Sequence, residues 1–321
     1  LTFRHMMADN RLEVVAVNDI APVDNLAYLL KYDSVHRDPE ARVAAGSGVL
    51  YWGEREIKYL SVKEPAQLPW RELGVQIVVE ATGRFTKREA ASQHLDAGAE
   101  RVVITAFSGD ADLVTCMGVN EDKYDPERHQ VVSNASCTTN ALAVVAKVLD
   151  DEFGIATAFL TTAHGYTASQ SLVDSPSKKW RRGRAAALSI VPSTTGAAVA
   201  TSYVLPQLEG KMDGLALRVP VADGSIIDLV AQTKRPVTVD SVNQALRRAS
   251  ESDRMKAFLG YSDEELVSAD IIGSEYSAIV DAGSTMVIGD HTVKVLAWYD
   301  NEWGYARRVA DITATIAQRQ G

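Results

Sequence analysis

A cysteine among small polar residues is the part of this sequence best suited to chemistry: Cys137 lies within S-N-A-S-C-T-T-N at 133–140. The apolar run at 141–146 predicts a helix that begins at the cysteine. A helix start presents unpaired N–H groups and a positive partial charge, which favour the nucleophilic thiolate over the thiol. The polar neighbours add donors for an anionic ligand. The stretch therefore predicts covalent catalysis on an electrophilic, phosphorylated substrate.

Of the six histidines, His164 is the best candidate for a base that serves Cys137. It ends F-L-T-T-A at 159–163, which predicts a buried strand, and G-Y-T follows it. A thiol–imidazole pair activates the nucleophile and shuttles protons. A structural, hydrogen-bonded histidine is the alternative that the sequence leaves open. The second cysteine, Cys116, lies in an apolar stretch and is predicted to be a buried small hydrophobe.

Two further stretches carry groups that could bind an anion. S-T-T-G at 193–196 precedes a predicted helix at 197–204 and could offer hydroxyl and N–H donors to a phosphate, although a simple helix cap is equally consistent. Arg218 lies within a predicted apolar strand at 215–219, where a charge must be paired internally or face a site. Metal chemistry has no support, because the sequence contains no C-x-x-C and no H-E-x-x-H.

The composition bounds the class of protein that positions these groups. With 321 residues, 46% hydrophobic and 23% charged, the chain is long enough for two ordinary globular domains. A net charge of -9 argues against nucleic acid as the main partner, and no apolar run reaches the roughly 18 residues of a membrane span. Two cysteines in a chain of this length indicate a reducing compartment, so the cytoplasm is the expected location.

The first half of the chain alternates predicted strands with predicted helices. Strands are predicted at 13–18, 75–80, 101–105 and 130–132, and helices at 25–31 and 87–95. Continuous Val/Ile runs separated by helices are typical of a parallel sheet covered on both faces. Ligands bind outside the carboxyl ends of such strands, and here polar residues follow three of them: Asp19, Thr82 and Thr105.

Asp19 lies where a dinucleotide-binding fold places the acid that holds the adenosine ribose. The glycine fingerprint of that fold lies about 20 residues upstream of the acid, and no G-x-G-x-x-G precedes Asp19. The opening residues, L-T-F-R-H-M-M, resemble the interior of a helix already under way. We therefore expect a truncated chain that lacks the first strand and its phosphate loop. An ordinary strand-end aspartate is the alternative.

The pattern changes from residue 150 onward. Strands are predicted at 156–163, 215–219, 226–232, 277–281 and 293–298, and an amphipathic helix at 302–317 closes the chain. Several strands with few helical crossovers indicate an α+β domain. Residues 165–190 carry a cluster of basic residues without clear periodicity, which is typical of a functional loop or a subunit contact.

Motifs along nearly the whole chain resemble the phosphorylating glyceraldehyde-3-phosphate dehydrogenase family. In order, they are S-N-A-S-C-T-T-N at 133–140, H-G-Y-T at 164–167, W-R-R-G-R-A-A-A at 180–187, S-T-T-G-A-A at 193–198, L-R-V-P at 217–220 and W-Y-D-N-E-W-G-Y at 298–305. The resemblance implies an α/β Rossmann-type NAD-binding domain, incomplete at its N-terminus, at 1–136. It also implies an α+β catalytic domain with a mainly antiparallel sheet at 137–302, and a C-terminal helix at 303–321 that packs back on the NAD-binding domain.

The resemblance further implies a role for each matching residue. Cys137 would attack the aldehyde of D-glyceraldehyde 3-phosphate to give a thiohemiacetal and then a thioester, with His164 as base. Inorganic phosphate would then release 1,3-bisphosphoglycerate. The substrate phosphate would contact Thr167, Arg182 and Arg218. The attacking phosphate would contact Ser136, Thr138, Thr195 and Gly196. NAD would contact Asp19, Lys63, Thr105, Asn301 and Tyr305.

The resemblance also bears on cofactor choice and assembly. Asp19 favours NAD, because a carboxylate repels the 2′-phosphate of NADP. Pro176 matches the NAD-preferring pattern, whereas Ser175 is smaller than the usual leucine, and Ser171 stands where relatives usually carry a basic residue. A cytoplasmic homotetramer is implied, with loop 165–190 near a subunit contact, acting in glycolysis or gluconeogenesis and binding neither nucleic acid, membrane nor metal. Erythrose-4-phosphate dehydrogenase and a non-catalytic scaffold of the same fold are the alternatives.

Overall fold

The computed structural model describes residues 1–38 and 42–320, which form two compact units. The first unit comprises Leu1–Leu113, Tyr124–Asn134 and Val309–Gly321. The second comprises Val114–Lys123 and Ala135–Arg308. Both members of the predicted catalytic pair, Cys137 and His164, therefore belong to the second unit.

The first unit contains two four-stranded sheets and three complete helices among its described residues. The strands are Ala16–Asn18 (β1), Val43–Gly46 (β2), Val49–Trp52 (β3), Arg55–Leu60 (β4), Ile77–Glu80 (β5), Arg101–Ile104 (β6), Leu113–Val114 (β7) and Val131–Ser133 (β8). The helices are Thr2–Ala8 (α1), Val23–Lys31 (α2) and Arg88–Asp96 (α3). The sheet orders are β1-β4-β3-β2 and β5-β6-β8-β7.

Parallel pairing confirms part of the sheet prediction for this unit. Strand β1 pairs parallel with β4, and β6 pairs parallel with both β5 and β8. Residues 43–60, for which the sequence analysis predicted no strand, form the antiparallel meander of β2, β3 and β4. Parallel pairing places the carboxyl ends of β1 and β4 together at one edge, and those of β5 and β6 together at another.

The antiparallel meander was missed although the sequence carries signals for it. Two-residue turns join its strands at 47–48 and 53–54, and Gly48 and Gly53 adopt positive φ values of 70° and 61°. Such turns favour glycine, because a side chain is strained in that region. The strands are only four to six residues long and lack regular alternation of buried and exposed positions, so periodicity does not reveal them.

The second unit is built on one seven-stranded mixed sheet, ordered β10-β11-β9-β12-β15-β14-β13. Its strands are Ile155–Gly165 (β9), Val191–Thr194 (β10), Met212–Val219 (β11), Ser225–Thr233 (β12), Leu259–Ser262 (β13), Ala278–Ile288 (β14) and Thr292–Tyr299 (β15). The pairs β11–β9 and β13–β14 are parallel, and the other four are antiparallel. The mainly antiparallel sheet predicted for this part is confirmed.

The second unit also contains helices, and one of 17 residues carries the cysteine at its start. They are Cys137–Phe153 (α4), Ala197–Val204 (α5), Val239–Glu251 (α6), Ser268–Ile271 (α7) and Trp303–Gln320 (α8), the last divided between the units at residue 309. Helix α4 contacts α5, α6 and strands β9, β12, β14 and β15. It is apolar on most sides because neighbours enclose it, which fixes Cys137 at its first position.

The predicted elements of this unit are present, with shifted ends. Helix α5 begins and ends where the sequence predicted, whereas β14 extends to Ile288, beyond the predicted end at 281. Loop 165–190 contains two 3₁₀ turns, Trp180–Gly183 and Ala186–Leu188. In the described part of the chain, no helix is long and apolar enough to cross a membrane.

Candidate active site

The cysteine follows a sharp turn between β8 and α4. Ala135 has a φ of 52°, and it is the one non-glycine residue with positive φ among the described residues. A left-handed alanine costs of order 1–2 kcal/mol. Ser136 is extended and caps α4, because its Oγ accepts the N–H of Thr139 at 3.1 Å. The turn therefore presents Cys137 as the first residue of the helix.

The structure brings the two predicted catalytic residues together. Sγ of Cys137 lies 3.4 Å from Nε2 of His164, which is near the end of β9. The imidazole is buried, and Tyr299 packs its ring edge-on against it at 5.9 Å. This distance is within reach of direct proton transfer between sulfur and nitrogen. The arrangement can therefore generate a sulfur nucleophile and store its proton nearby.

Arg218 reaches the other side of the imidazole. Sheet register places Arg218 opposite His164. Its Nη1 lies 2.8 Å from Nδ1 of His164 and donates to the Gly165 carbonyl at 3.0 Å. Burial, followed by the charge of Arg218, lowers the pKa of His164 to about 4. The imidazole is therefore neutral near pH 7. Its Nδ1 lies 2.7 Å from the Gly165 carbonyl, which can only accept, so the ring proton is on Nδ1 and Nε2 is free to take the thiol proton.

The resting protonation of the thiol differs from the sequence prediction. Burial raises the pKa of Cys137, and this outweighs the hydrogen bond from Thr138 and the charge of Arg218, both of which lower that pKa. The N–H groups of Thr138 and Cys137 do lower this pKa, in the direction that the sequence predicted for the helix start, but desolvation of the anion is the larger effect. The proton must leave as the sulfur attacks, and His164 is the neighbour placed to take it.

Tyr299 is a site residue to which the sequence analysis gave no role, although it lies within the motif at 298–305. Its buried hydroxyl lies 2.9 Å from Oγ1 of Thr138 and 2.8 Å from Oγ1 of Thr162. Burial raises the pKa of Tyr299, so it remains a neutral donor. The alternation of buried residues along β15 could have placed Tyr299 on the inner face. Its hydroxyl fixes Thr138, the residue next to the nucleophile.

A cluster of hydroxyl groups surrounds Arg182 in the loop at 165–190. Nε and Nη2 of Arg182 donate to Oγ of Ser193 at 3.1 and 3.0 Å, and Nη1 donates to Oγ of Ser169 at 3.3 Å. Oγ of Ser169 is also 2.8 Å from Oγ1 of Thr167. In addition, Nε of Arg218 is buried without a hydrogen-bond partner among the described residues. Guanidinium groups beside hydroxyls are suited to binding phosphate.

Thr195 and Gly196, which the sequence predicted as anion-binding residues, immediately precede helix α5. Gly196 is the N-cap, with no heavy atom within 4 Å of the position that a Cβ would take. Oγ1 of Thr195 accepts the N–H of Ala197 at 3.2 Å, which is the simple capping contact considered as an alternative. A capping hydroxyl and a bound anion are compatible, because further N–H groups of the first turn remain available.

Asn301 offers a buried amide that the described residues leave unsatisfied. Its Oδ1 accepts a short hydrogen bond from Ser225, and its backbone N–H donates to Asp223 at 3.1 Å. Its Nδ2 is buried and has no partner among the described residues. A buried unsatisfied donor is costly, so a ligand carbonyl is the expected partner. Tyr305, in the first turn of α8, donates its hydroxyl to the Ala135 carbonyl at 3.0 Å.

The remaining predicted cofactor residues lie at strand ends of the first unit. Asp19 directly follows β1, and its Oδ1 accepts the N–H of Ala21 at 2.9 Å. Lys63 is exposed, three residues beyond β4. Thr105 follows β6 and donates from N and Oγ1 to the Glu80 carbonyl at 3.0 and 3.2 Å. Asp19 and Thr105 lie at the carboxyl ends of parallel strands, as the sequence predicted. Lys63 follows β4, a strand that the sequence analysis did not predict.

Behind Thr105, a buried hydrogen-bonded chain stiffens the end of β5. Nε1 of Trp70 donates to Nδ1 of His94 at 3.0 Å, and Nε2 of His94 lies 3.1 Å from Glu80. The Glu80 carboxylate also accepts the N–H of Thr82 at 2.8 Å. Because indole is only a donor, Nδ1 of His94 must accept, which places the imidazole proton on Nε2 toward Glu80. Sequence periodicity could not predict such a chain.

Asp223 and Asp300 form a buried carboxyl pair beside Asn301, and this pair predicts a pH dependence of stability. Burial, then the hydrogen bond and charge of Asp223, raises the pKa of Asp300 to about 7. The folded protein therefore binds this proton more tightly than the unfolded chain. The resulting stabilisation is complete below the unfolded pKa of about 4 and is lost as the pH rises to about 7.

We expect the free energy of unfolding contributed by this pair to fall between about pH 4 and about pH 7 in urea titrations. Asp223→Asn should flatten that fall, because an amide N–H can bond the ionised Asp300 in place of the shared proton. Asp253→Asn is the matched control, since its side chain is 98% exposed. An unchanged slope in Asp223→Asn would contradict the assignment.

Fold and site together define a cysteine-dependent oxidoreductase with a nucleotide-binding unit. The family description "Glyceraldehyde 3-phosphate dehydrogenase, NAD binding domain" matches residues 1–88, and "Glyceraldehyde 3-phosphate dehydrogenase, C-terminal domain" matches residues 136–301. The chain belongs to the glyceraldehyde-3-phosphate dehydrogenase family, which confirms the resemblance drawn from its motifs.

Curated relatives match over nearly the full chain. Glyceraldehyde-3-phosphate dehydrogenase of Geobacillus stearothermophilus is 52% identical over 317 residues, covering 99% of this chain and 94% of that protein. Glyceraldehyde-3-phosphate dehydrogenase 2 of Bacillus subtilis (strain 168) is 49% identical over 319 residues, covering 99% of this chain and 94% of that protein. Glyceraldehyde-3-phosphate dehydrogenase of Mycobacterium avium is 50% identical over 309 residues, covering 96% of this chain and 90% of that protein.

Proposed function

We propose that this chain oxidises D-glyceraldehyde 3-phosphate with NAD and inorganic phosphate to give 1,3-bisphosphoglycerate, as a step of glycolysis or gluconeogenesis. The observation that carries the proposal is the 3.4 Å contact between the Cys137 thiol and the neutral, buried imidazole of His164. Family membership supports the same reaction and does not favour erythrose-4-phosphate dehydrogenase or a non-catalytic scaffold.

The site residues divide the chemistry between sulfur and imidazole. As Sγ of Cys137 bonds to the aldehyde carbon, Nε2 of His164 takes the thiol proton and passes it to the aldehyde oxygen, which becomes the hydroxyl of a thiohemiacetal. When the hydride leaves the carbon, Nε2 of His164 takes the hydroxyl proton back. NAD, when bound, supplies the hydride acceptor. The acyl group then remains on Cys137 as a thioester. Attack of inorganic phosphate on its carbonyl breaks the C–S bond, releases the acyl phosphate and returns the sulfur for reprotonation.

Two anion sites would serve the two phosphate groups. For the substrate phosphate we propose Thr167, Arg182 and Arg218, which is supported by the hydroxyl cluster at Arg182 and the unsatisfied Nε of Arg218. For the attacking phosphate we propose Ser136, Thr138, Thr195 and Gly196. The hydroxyl of Thr138 is 4.0 Å from Sγ of Cys137, a spacing that suits an oxygen beside the acyl carbon.

The residues proposed for NAD fit that cofactor. Nδ2 of Asn301 is a buried donor without a partner among the described residues, as a nicotinamide carboxamide oxygen requires. Tyr305 would pack beside the nicotinamide ring, and Asp19 would accept hydrogen bonds from the adenosine ribose. Lys63 and Thr105, at strand ends, would contact the cofactor between those two parts.

Asp19 gives a prediction on cofactor choice. We expect Asp19→Ala to weaken NAD binding by about a hundredfold, because two charge-assisted hydrogen bonds to the ribose, each of about 1.5 kcal/mol, are lost. NADP should be affected less or bind more tightly, because the repulsion of its 2′-phosphate disappears. Isothermal titration with each cofactor measures both changes. Asp24→Ala, at an exposed position of helix α2, is the control. Equal losses for NAD and NADP in Asp19→Ala would contradict the assignment.

Domain limits are proposed at 1–136 for NAD binding, 137–302 for catalysis and 303–321 for the closing helix.

We also propose a cytoplasmic homotetramer that binds neither nucleic acid nor membrane, with loop 165–190 near a subunit contact. Large apolar side chains in that loop support an interface: Leu172, Trp180 and Leu188 are each more than four-fifths exposed within this chain. Sedimentation equilibrium of a stable monomer would contradict the tetramer.

The function is tested by following NADH absorbance with purified protein. The proposal predicts NADH formation that requires D-glyceraldehyde 3-phosphate, NAD and inorganic phosphate together. Erythrose 4-phosphate should give a much lower kcat/KM at the same enzyme concentration. A preference for erythrose 4-phosphate, or a rate that does not depend on phosphate, would overturn the assigned reaction.

A further inference from the structure

The turn before the nucleophile combines burial with an unfavourable backbone conformation. Ala135 is fully buried and lies in the left-handed region, which a side-chain-bearing residue adopts at a cost. The residues around it are held independently: Oγ of Ser136 caps α4 and is 2.7 Å from Oγ1 of Thr139. Of the residues between β8 and Cys137, Ala135 thus has the energetically unfavourable backbone conformation.

A tyrosine from a distant part of the chain forms a hydrogen bond with Ala135. Tyr305 follows Ala135 by 170 residues and donates its hydroxyl to the Ala135 carbonyl at 3.0 Å. The first turn of α8, which carries Tyr305, is itself anchored by Asp300. That carboxylate accepts the N–H groups of Glu302 and Trp303 at 2.9 and 2.6 Å. The backbone that carries Tyr305 is therefore held in place by hydrogen bonds of its own.

We propose that the hydroxyl of Tyr305 holds Ala135 in its left-handed conformation and thereby positions the sulfur of Cys137 against His164. Tyr305 is in this respect a positioning residue for the nucleophile, separate from the ring contact with NAD. The inference rests on the proposed function only for the role of Cys137. The Sγ–Nε2 distance of 3.4 Å leaves little margin, so a small relaxation of the turn breaks the proton-transfer contact.

The test is the rate at which iodoacetamide alkylates Cys137, with no substrate or NAD present. Mass spectrometry of the labelled peptide separates Cys137 from the buried Cys116. Tyr305→Phe removes only the hydroxyl and is expected to lower the rate about tenfold, comparable to the free-energy cost of a left-handed alanine. In the A135G background the same change should cost less than about twofold, because glycine adopts that conformation without penalty.

A pH series separates positioning from a general loss of structure. The difference between wild type and Tyr305→Phe should shrink at high pH, where hydroxide ionises the thiol without His164. Thermal unfolding of each variant sets a common temperature at which all are folded. An unchanged rate in Tyr305→Phe, or an equal loss in both backgrounds at every pH, would overturn the proposal.

The outcomes also distinguish this inference from the proposed function. If wild-type Cys137 reacts no faster than Cys116, then Cys137 is not an activated nucleophile and the proposed function fails with it. If Cys137 reacts rapidly and Tyr305→Phe leaves its rate unchanged, only the positioning role fails.

Discussion

Cys137→Ser is expected to lower phosphate-dependent NADH formation by about 10⁴-fold or more, the scale on which loss of a covalent nucleophile acts. A serine hydroxyl is far less acidic than a thiol, and the burial that already raises the pKa of Cys137 would disfavour an alkoxide still more. The measurement is kcat from NADH absorbance, with the free energy of unfolding measured in parallel to confirm that the variant is folded.

The matched control is the other cysteine. Cys116 is completely buried, and burial raises its pKa well above the ordinary value, so it is an inert core residue. Cys116→Ala should retain most of the wild-type kcat and all of the iodoacetamide sensitivity. Substantial turnover in Cys137→Ser, or a comparable loss in Cys116→Ala, would contradict the assignment of the nucleophile.

His164→Asn is expected to lower kcat by about 10³-fold, within the range attributed to general acid–base catalysis. Asparagine keeps a hydrogen-bonding side chain of similar size but cannot take the thiol proton. The effect should be largest near neutral pH. There, the wild-type imidazole is unprotonated because its pKa is lowered to about 4, while the raised pKa of Cys137 keeps the thiol protonated.

The pH dependence of Cys137 alkylation shows whether His164 acts as the base. Without a neighbouring base, alkylation of Cys137 must await ionisation of its own thiol, so the rate in His164→Asn should rise about tenfold per pH unit. Wild type should show a shallower dependence over the same range. His291→Asn is the control, since His291 contacts the Thr233 carbonyl in the same unit and has no proposed role. Parallel pH profiles in His164→Asn and wild type would contradict the role of His164 as base.

Local patterns in the sequence predicted the elements that carry the site. The apolar run after Cys137 and the cap before Ala197 gave α4 and α5 at their observed starts, and alternation gave most strands of the mixed sheet. Such elements are predictable because a continuous apolar run marks an enclosed helix and regular alternation marks a strand with one buried face. The short meander at 43–60 was missed because its turns, rather than its periodicity, define it.

Properties that depend on three-dimensional surroundings could not be predicted in the same way. The contact of Arg218 with His164 depends on the register of β11 against β9, and the hydroxyl of Tyr299 meets Thr138 across 161 residues of chain. The protonation of Cys137 is the clearest example. The helix start that favours the thiolate is visible in the sequence, whereas the burial that opposes it is a property of the folded unit.

The thioester on Cys137 is the central claim, and a rapid-mixing experiment without phosphate tests it most directly. Mixing the protein with D-glyceraldehyde 3-phosphate and NAD should give a burst of one NADH per active site, after which NADH formation stops or becomes very slow. The acyl group then occupies Cys137, and added inorganic phosphate should restore steady turnover at once. Sustained turnover without phosphate, or the absence of a burst, would contradict a covalent acyl-enzyme that phosphate releases.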